Sequence, residues 1–272
     1  ANTETWNGSS WTEVNDLNTA RGSAAGAGTQ TAALCAGGYA PGGNTANTEK
    51  WNGTSWTETG NLNAARNELE QAGSQNLMLA FGGAPGSGTT ATEFFNGSSW
   101  TELNDLSTAR FSVAGIGSST LALAGGGSTG SVTTATEEWN TAGATDTLQN
   151  DGQVFYRSDT GDFKVSLTQY GTGAWASGGN LNTARYSAGG SGTQTAALMA
   201  GGNGNSADSE EYNGTSWTEG NNLVAGTNWF SMTGTQTATI GAGGFGPGIT
   251  VNAQAYDGTS WTEVNDLNLA RY

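Results

Sequence analysis

The sequence predicts an all-β propeller built from four-stranded blades, and three observations carry that prediction. A hairpin-like stretch, Thr5-Trp-Asn-Gly-Ser-Ser-Trp-Thr-Glu-Val-Asn-Asp-Leu-Asn-Thr-Ala-Arg21, recurs in close copies along the 272 residues. A double glycine closes a short apolar run in each copy, as in Leu34-Cys-Ala-Gly-Gly38 and Leu198-Met-Ala-Gly-Gly202. The aromatic markers recur every 44 or 45 residues wherever nothing intervenes, a period that fits one supersecondary unit per repeat.

One repeat reads as four strands. Residues 22–28 and 30–36 alternate small and apolar residues and end in the double glycine, 46–52 carry the first aromatic, and 55–59 carry Trp56. The Asn-Gly between the two aromatics suits a hairpin turn, because both residues tolerate positive φ. A four-stranded sheet repeated every 40–50 residues is a propeller blade, with small residues inside near the axis and aromatics outside where there is room. The first aromatic falls at Trp6, Trp51, Phe95, Trp139, Tyr212 and Tyr256. The second falls at Trp11, Trp56, Trp100, Trp175, Trp217 and Trp261.

Five units are complete, whereas residues 1–14 supply two outer strands without inner partners. The expectation is a single propeller over residues 1–272 with six blades, the sixth closed across the termini if the chain continues in the same pattern. Five blades with a spare hairpin, and seven with an insert counted, stay open. That insert, 143–174, separates Trp139 from Trp175 by 36 positions where five are usual, and it reads as an inserted β-hairpin turning at Asp159-Thr-Gly-Asp162. The chain begins at Ala1 rather than Met, so its natural ends are not defined by it.

Composition narrows the function. Eight basic against 23 acidic residues give −15, a charge that repels phosphate backbones, so no nucleic-acid partner is expected. No run approaches a membrane span and no signal peptide is visible, so no membrane insertion is expected. Charged residues are 11%, against about 25% in an ordinary soluble domain, which leaves a surface of Thr, Ser, Asn and Gly. The single Cys35 forms no internal disulfide and leaves the redox compartment open.

Catalytic chemistry is poorly supplied. There is no histidine, which excludes Ser-His-Asp and Cys-His nucleophile systems and the usual histidine-bearing metal sites. Most carboxylates recur at repeat positions (Glu13, Glu58, Glu102, Glu219 and Glu263; Asp16, Asp105 and Asp266), and a repeated residue answers a repeated structural need. Asp146, Asp151, Asp159 and Asp162 in the insert are the one cluster weighed for sugar hydrolysis, and they suit turns equally. No catalytic residue, metal or cofactor is expected, and the protein reads as no enzyme. Asn7-Gly-Ser, Asn52-Gly-Thr, Asn96-Gly-Ser and Asn213-Gly-Thr match a glycosylation pattern but coincide with hairpin turns. Asp257-Gly-Thr-Ser-Trp261 resembles a sialidase Asp-box, although with the wrong spacing.

The structural repeat residues are Arg21, Arg66, Arg110, Arg185 and Arg271 together with Trp11, Trp56, Trp100, Trp175, Trp217 and Trp261. Arginine's planar fork suits clamping a carboxylate or several carbonyls, with residues of the Glu13 or Asp16 type as expected partners. In the fifth unit Thr227 replaces the arginine. The candidate binding residues are those that break the repeat: Tyr39 and Phe245 on the loops after double glycines, and Phe155, Tyr156, Arg157 and Tyr170 in the insert. The loops after the double glycines should share a face with the Asn15–Arg21 connections.

The order of arginine, apolar strand, Gly-Gly, aromatic and Trp resembles the kelch repeat, over residues 1–142 and 174–272, and implies a kelch-like propeller. The near-identical Gly-Thr-Gln-Thr-Ala segments at 28–32, 192–196 and 234–238, with Gly152-Gln-Val-Phe-Tyr-Arg-Ser158, are similar to virion and tail proteins of marine bacteriophages. That resemblance implies a non-enzymatic virion structural or host-attachment protein at the virion surface or outside the cell. Its partners would be other virion proteins or host-surface glycan or protein, and a homo-oligomer is an allowed assembly. A secreted lectin-like bacterial propeller is the alternative, ahead of a glycosidase.

Overall fold

A computed structural model describes residues 2–84, 86, 88–141 and 173–271, and the backbone alone of 154–157 and 162–165. Five four-stranded antiparallel sheets follow one another along the chain. Blade 1 comprises Ala25–Thr29, Ala32–Ala36, Thr48–Trp51 and Trp56–Glu58, close to the expected strand positions. Blade 2 comprises Glu70–Gly73, Met78–Phe81, Thr92–Phe95 and Trp100–Glu102. Blade 3 comprises Ala114–Gly117, Leu121–Gly125, Thr136–Asn140 and Ala174–Ser177. Blade 4 comprises Gly189–Thr193, Ala196–Ala200, Ser209–Tyr212 and Trp217–Glu219. Blade 5 comprises Ser231–Thr235, Ala238–Ala242, Ala253–Tyr256 and Trp261–Val264.

The blade number is therefore five rather than the expected six. Residues 3–14 form a two-stranded sheet, Thr3–Trp6 paired with Trp11–Val14, and no inner strands stand beside it among the described residues. A seven-bladed count is also excluded, since Trp175 pairs with Trp139 as the fourth strand of blade 3. Of the insert, only a short antiparallel backbone pairing of Val154–Arg157 with Asp162–Val165 is described. Its expected form as an inserted hairpin, Tyr170 and the side chains of Phe155, Tyr156 and Arg157 lie outside the described residues.

Packing explains the repeat. The second strands present Leu34 and Ala36, Leu79 and Phe81, Leu123, and Leu198 and Ala200 to the following blade, forming four apolar clusters between successive blades. In each blade the two outer aromatics lie opposite one another, with ring centroids 5.0–5.5 Å apart. The second of them reaches back to the preceding blade: the indole N–H groups of Trp100, Trp175 and Trp217 donate to the hydroxyls of Thr48, Thr92 and Thr136 at 3.0–3.2 Å.

The arginines bind a carboxylate that sequence reasoning did not select. Arg21, Arg66, Arg110 and Arg185 pair with Glu49, Glu93, Glu137 and Glu210 on third strands, and Arg271 pairs with Glu4 on Thr3–Trp6. Glu13 is exposed, and Asp16 instead accepts the Thr3 backbone N–H. Each glutamate also caps the connection entering from the preceding blade; the second Glu137 oxygen, for example, accepts from the Ser107 N–H and hydroxyl at 2.8 and 2.7 Å. Blade 5 reaches the same end without charge, where Gln254 Oε1 accepts from the Val224 and Ala225 N–H groups.

The double glycine is a clasp between blades. The first glycine lies at φ near +70°, and a Cβ there would meet the carbonyl oxygen ahead of the next blade: Arg66 at 2.7 Å from Gly37, Arg185 at 2.4 Å from Gly126. The second glycine donates its N–H to that carbonyl at 2.8–2.9 Å. Positive φ and the close approach both require glycine.

Candidate functional site

The connections between blades and the loops after the double glycines share one face, because residues entering the first strand bridge residues leaving the second: Gly22 with Tyr39, Asn67 with Ala84, Phe111 with Ser128, Asn228 with Phe245. Large apolar side chains gather there. Tyr39, Val132, Val224, Trp229, Phe245, Ile249 and Leu269 are exposed, and among the described residues Leu121 is the one exposed large apolar residue at the opposite end. Tyr39 is 58% exposed, and Phe245 stacks edge-on against Trp229 at 6.2 Å. Tyr39 and Phe245 thus lie on this face, on separate blades.

At its centre the face opens into the axial channel, a cavity of about 240 Å³ lined by Arg21, Ser23, Glu68, Glu70, Ser112, Ser187, Trp229 and Phe230, among others. Five residues hold the rim in a left-handed conformation: Ser23, Glu68, Ser112, Ser187 and Trp229, with φ of 48–53°. Their backbones are linked in series, with Trp229 N–H to Ser187 O, Ser187 to Ser112, Ser112 to Glu68 and Glu68 to Ser23, each at 2.8–2.9 Å. This fixes side chains from successive blades around one opening.

Two rim residues were missed by sequence reasoning. Glu68 and Glu70 fall where the other units carry Ser23, Ser112, Ser187 and Trp229, and Ala25, Ala114, Gly189 and Ser231. The signal was present as a departure from the repeat at the start of the first strand. Ser112 donates its hydroxyl to Glu68. Burial beside Phe230 and the small inner-strand residues raises the Glu70 carboxyl from 4.5 to about 8, opposed by a backbone hydrogen bond from Gln71.

A carboxyl group whose pKa rises on folding stabilises the fold when protonated. Stability is then fully present below about pH 4.5 and is lost as pH climbs through about 8. Glu70→Gln is expected to leave the melting temperature unchanged at pH 4.5 and to raise it at pH 9 by the equivalent of about 2 kcal/mol. Thermal melts of both proteins across that range check it.

The site can stack planar or sugar-like ligands on aromatic faces and accept hydrogen bonds at Glu68. No cluster of His, Cys, Asp and Glu that could hold a metal ion is present among the described residues. No helix among them is long and apolar enough to cross a membrane.

Among solved structures, that of YjhT superposes with a TM-score of 0.69 at 12% sequence identity, covering 94% of this chain and 88% of that one. The likeness is one of fold. No family model matches the sequence, and no curated protein matches it either.

Proposed function

We propose that the protein is a non-enzymatic recognition module at the surface of a virus particle, a structural or host-attachment protein that binds glycan or protein through the loop face of a kelch-like propeller. The observation that carries the reading is the division of its residues. The repeated arginines are held by third-strand glutamates, four of the five in buried pairs, while the non-repeated apolar residues Tyr39, Trp229 and Phe245 stand exposed together on one face. Aromatic residues on a rigid frame provide large contact area at low conformational cost. The Thr-, Ser-, Asn- and Gly-rich exterior suits a particle surface, and the similarity of the Gly-Thr-Gln-Thr-Ala segments to phage virion proteins supports the same setting. Several copies on one particle would add weak sites together.

Gold-labelled antibody imaging of particles from the native source is the test of class. Labelling of a capsid or tail is expected; labelling confined to cells or to secreted, particle-free material would favour a secreted bacterial lectin-like propeller. A glycosidase is favoured by one specific feature, the non-repeated Glu68 and Glu70 in one cavity, Glu70 with a pKa suited to a general acid. Release of reducing sugar that Glu70→Gln abolishes would replace the recognition reading with that one.

A further inference from the structure

Two carboxyl groups face the axial opening and belong to no ion pair among the described residues. Glu68 and Glu70 line the cavity at the channel mouth, and Glu70 also lines the channel beyond it. Glu49, Glu93, Glu137 and Glu210, by contrast, each hold an arginine. Arg21, the one cation lining the cavity among the described residues, is already bound by Glu49 at 2.7 Å and by the Cys35 carbonyl at 3.3 Å. Burial holds the pKa of the Glu70 carboxyl at about 8, and a cation beside it would restore the charged form.

Ser187 points independently to a ligand. It stands one blade on from Ser112, whose hydroxyl donates to Glu68. Ser187 is 6% exposed and lines the same cavity, yet its hydroxyl meets no hydrogen-bond partner among the described residues. A buried hydroxyl left unpaired is costly, and a ligand in the cavity removes that cost. The left-handed rim holds these groups through its series of backbone hydrogen bonds, so little ordering is left to binding. Glu68, Glu70, Ser112 and Ser187 belong to blades 2, 3 and 4, whose first strands pack side by side. The two-stranded sheet of residues 3–14 adjoins blades 5 and 1 instead, so none of the four depends on what stands beside that sheet.

We propose that this cavity binds an amino sugar, whose primary ammonium group is held between the Glu68 and Glu70 carboxylates with the Ser187 hydroxyl as a further acceptor. An ammonium group carries three donors and no acceptor, which matches a lining of carboxylate and hydroxyl oxygens. Its hydrogen bonds to carboxylates are charge-assisted and therefore strong. The sugar body follows from the rest of the lining. Ser23, Ser112 and Ser231 offer hydroxyl partners that a plain alkylammonium would leave unused, and Trp229 and Phe230 offer apolar ring faces. The net charge of −15 concentrates cations at such a concave mouth. The proposal deepens the glycan-recognition reading and rests on it for the ligand class. That reading is tested at Tyr39 and Phe245, which do not line this cavity, so either can fail alone.

Isothermal titration of the intact protein with glucosamine, at neutral pH and low salt, tests the proposal. Saturable one-to-one binding without turnover is expected, about tenfold tighter than that of N-acetylglucosamine, whose nitrogen is uncharged. Glu68→Gln and Glu70→Gln should each weaken it about tenfold, and Ser187→Ala about threefold through loss of one hydrogen bond. Glu219→Gln, which removes an exposed carboxylate from a fourth strand, should leave it unchanged. A melt of each variant separates lost binding from lost structure, and Glu70→Gln is the cleanest because its fold is not expected to weaken. Equal binding of N-acetylglucosamine, equal binding by the Glu68→Gln and Glu70→Gln variants, or no saturation by about 10 mM overturns the proposal. So does binding of Nα-acetyl-lysine amide as tight as that of glucosamine, or displacement of glucosamine by stoichiometric calcium chloride.

Discussion

Replacing Arg110 with alanine is expected to destabilise the protein by about 3–5 kcal/mol, read as a loss of melting temperature and of the denaturant midpoint. The guanidinium is fully buried, binds the Gly126 and Ala135 carbonyls at 2.8 Å and meets Glu137 at 2.6 Å. Burial alone would lower the arginine's pKa, and the Glu137 carboxylate opposes that shift. Removing the cation leaves a carboxylate inside the protein with only Ser107 as a partner, and an unpaired buried charge is costly. Blade 5 supplies the internal control, since Thr227 stands at the arginine position and Gln254 at the glutamate position, where Gln254 accepts from the Val224 N–H and donates to the Ala225 carbonyl. Arg110→Thr combined with Glu137→Gln should therefore recover most of the loss. If the double variant were as unstable as the single one, the pair would be contributing more than charge compensation.

Gly126→Ala is expected to cost about 3 kcal/mol or more. The added Cβ would lie 2.4 Å from the Arg185 carbonyl oxygen, which is backbone and which Gly127 already holds by a hydrogen bond of 2.8 Å. The residue also sits at φ +64°, a region alanine enters at a cost. Gly130→Ala is the comparison, with φ +96° but open space around its Cβ, so only the conformational penalty of about 1 kcal/mol applies. Chemical denaturation of the two variants separates clash from dihedral strain.

Much of the fold was legible because each repeat solves the same problem with the same residues. Periodicity located the strands, and Asn-Gly and Gly-Gly located turns whose chemistry is local. What sequence could not supply was long-range pairing. Arg66 precedes Glu93 by most of a repeat, and Glu13 and Asp16 looked equally suitable until the third strand turned its glutamate inward. Residues 1–14 already read as two outer strands without inner partners, and five blades with a spare hairpin, the arrangement found, was an alternative to the favoured six. At the candidate site, Tyr39 and Phe245 were visible as aromatics outside the repeat, whereas Glu68 and Glu70 were hidden among repeated carboxylates. Only comparison with Ser23, Ser112 and Ala114 would have separated them.

Trp11 and Trp261 show how strictly the scaffold follows its rule. Their indole N–H groups are buried without partners, since Ala253 and Ser209 stand where other blades offer threonine, and the Ser209 hydroxyl donates to Asn221 instead. These departures lie where blade 5 meets blade 4 and the two-stranded sheet of residues 3–14.

The central claim is that repeated residues hold the scaffold while the non-repeated face recognises a ligand. Glycan-array binding measured beside melting temperature tests it most directly, using the unaltered protein and the double variant Tyr39→Ala with Phe245→Ala. The account predicts binding without turnover by the unaltered protein, and at least a tenfold loss in the variant, about 1.4 kcal/mol, with its melting temperature unchanged. Undiminished glycan binding by a variant that melts at the same temperature would contradict it.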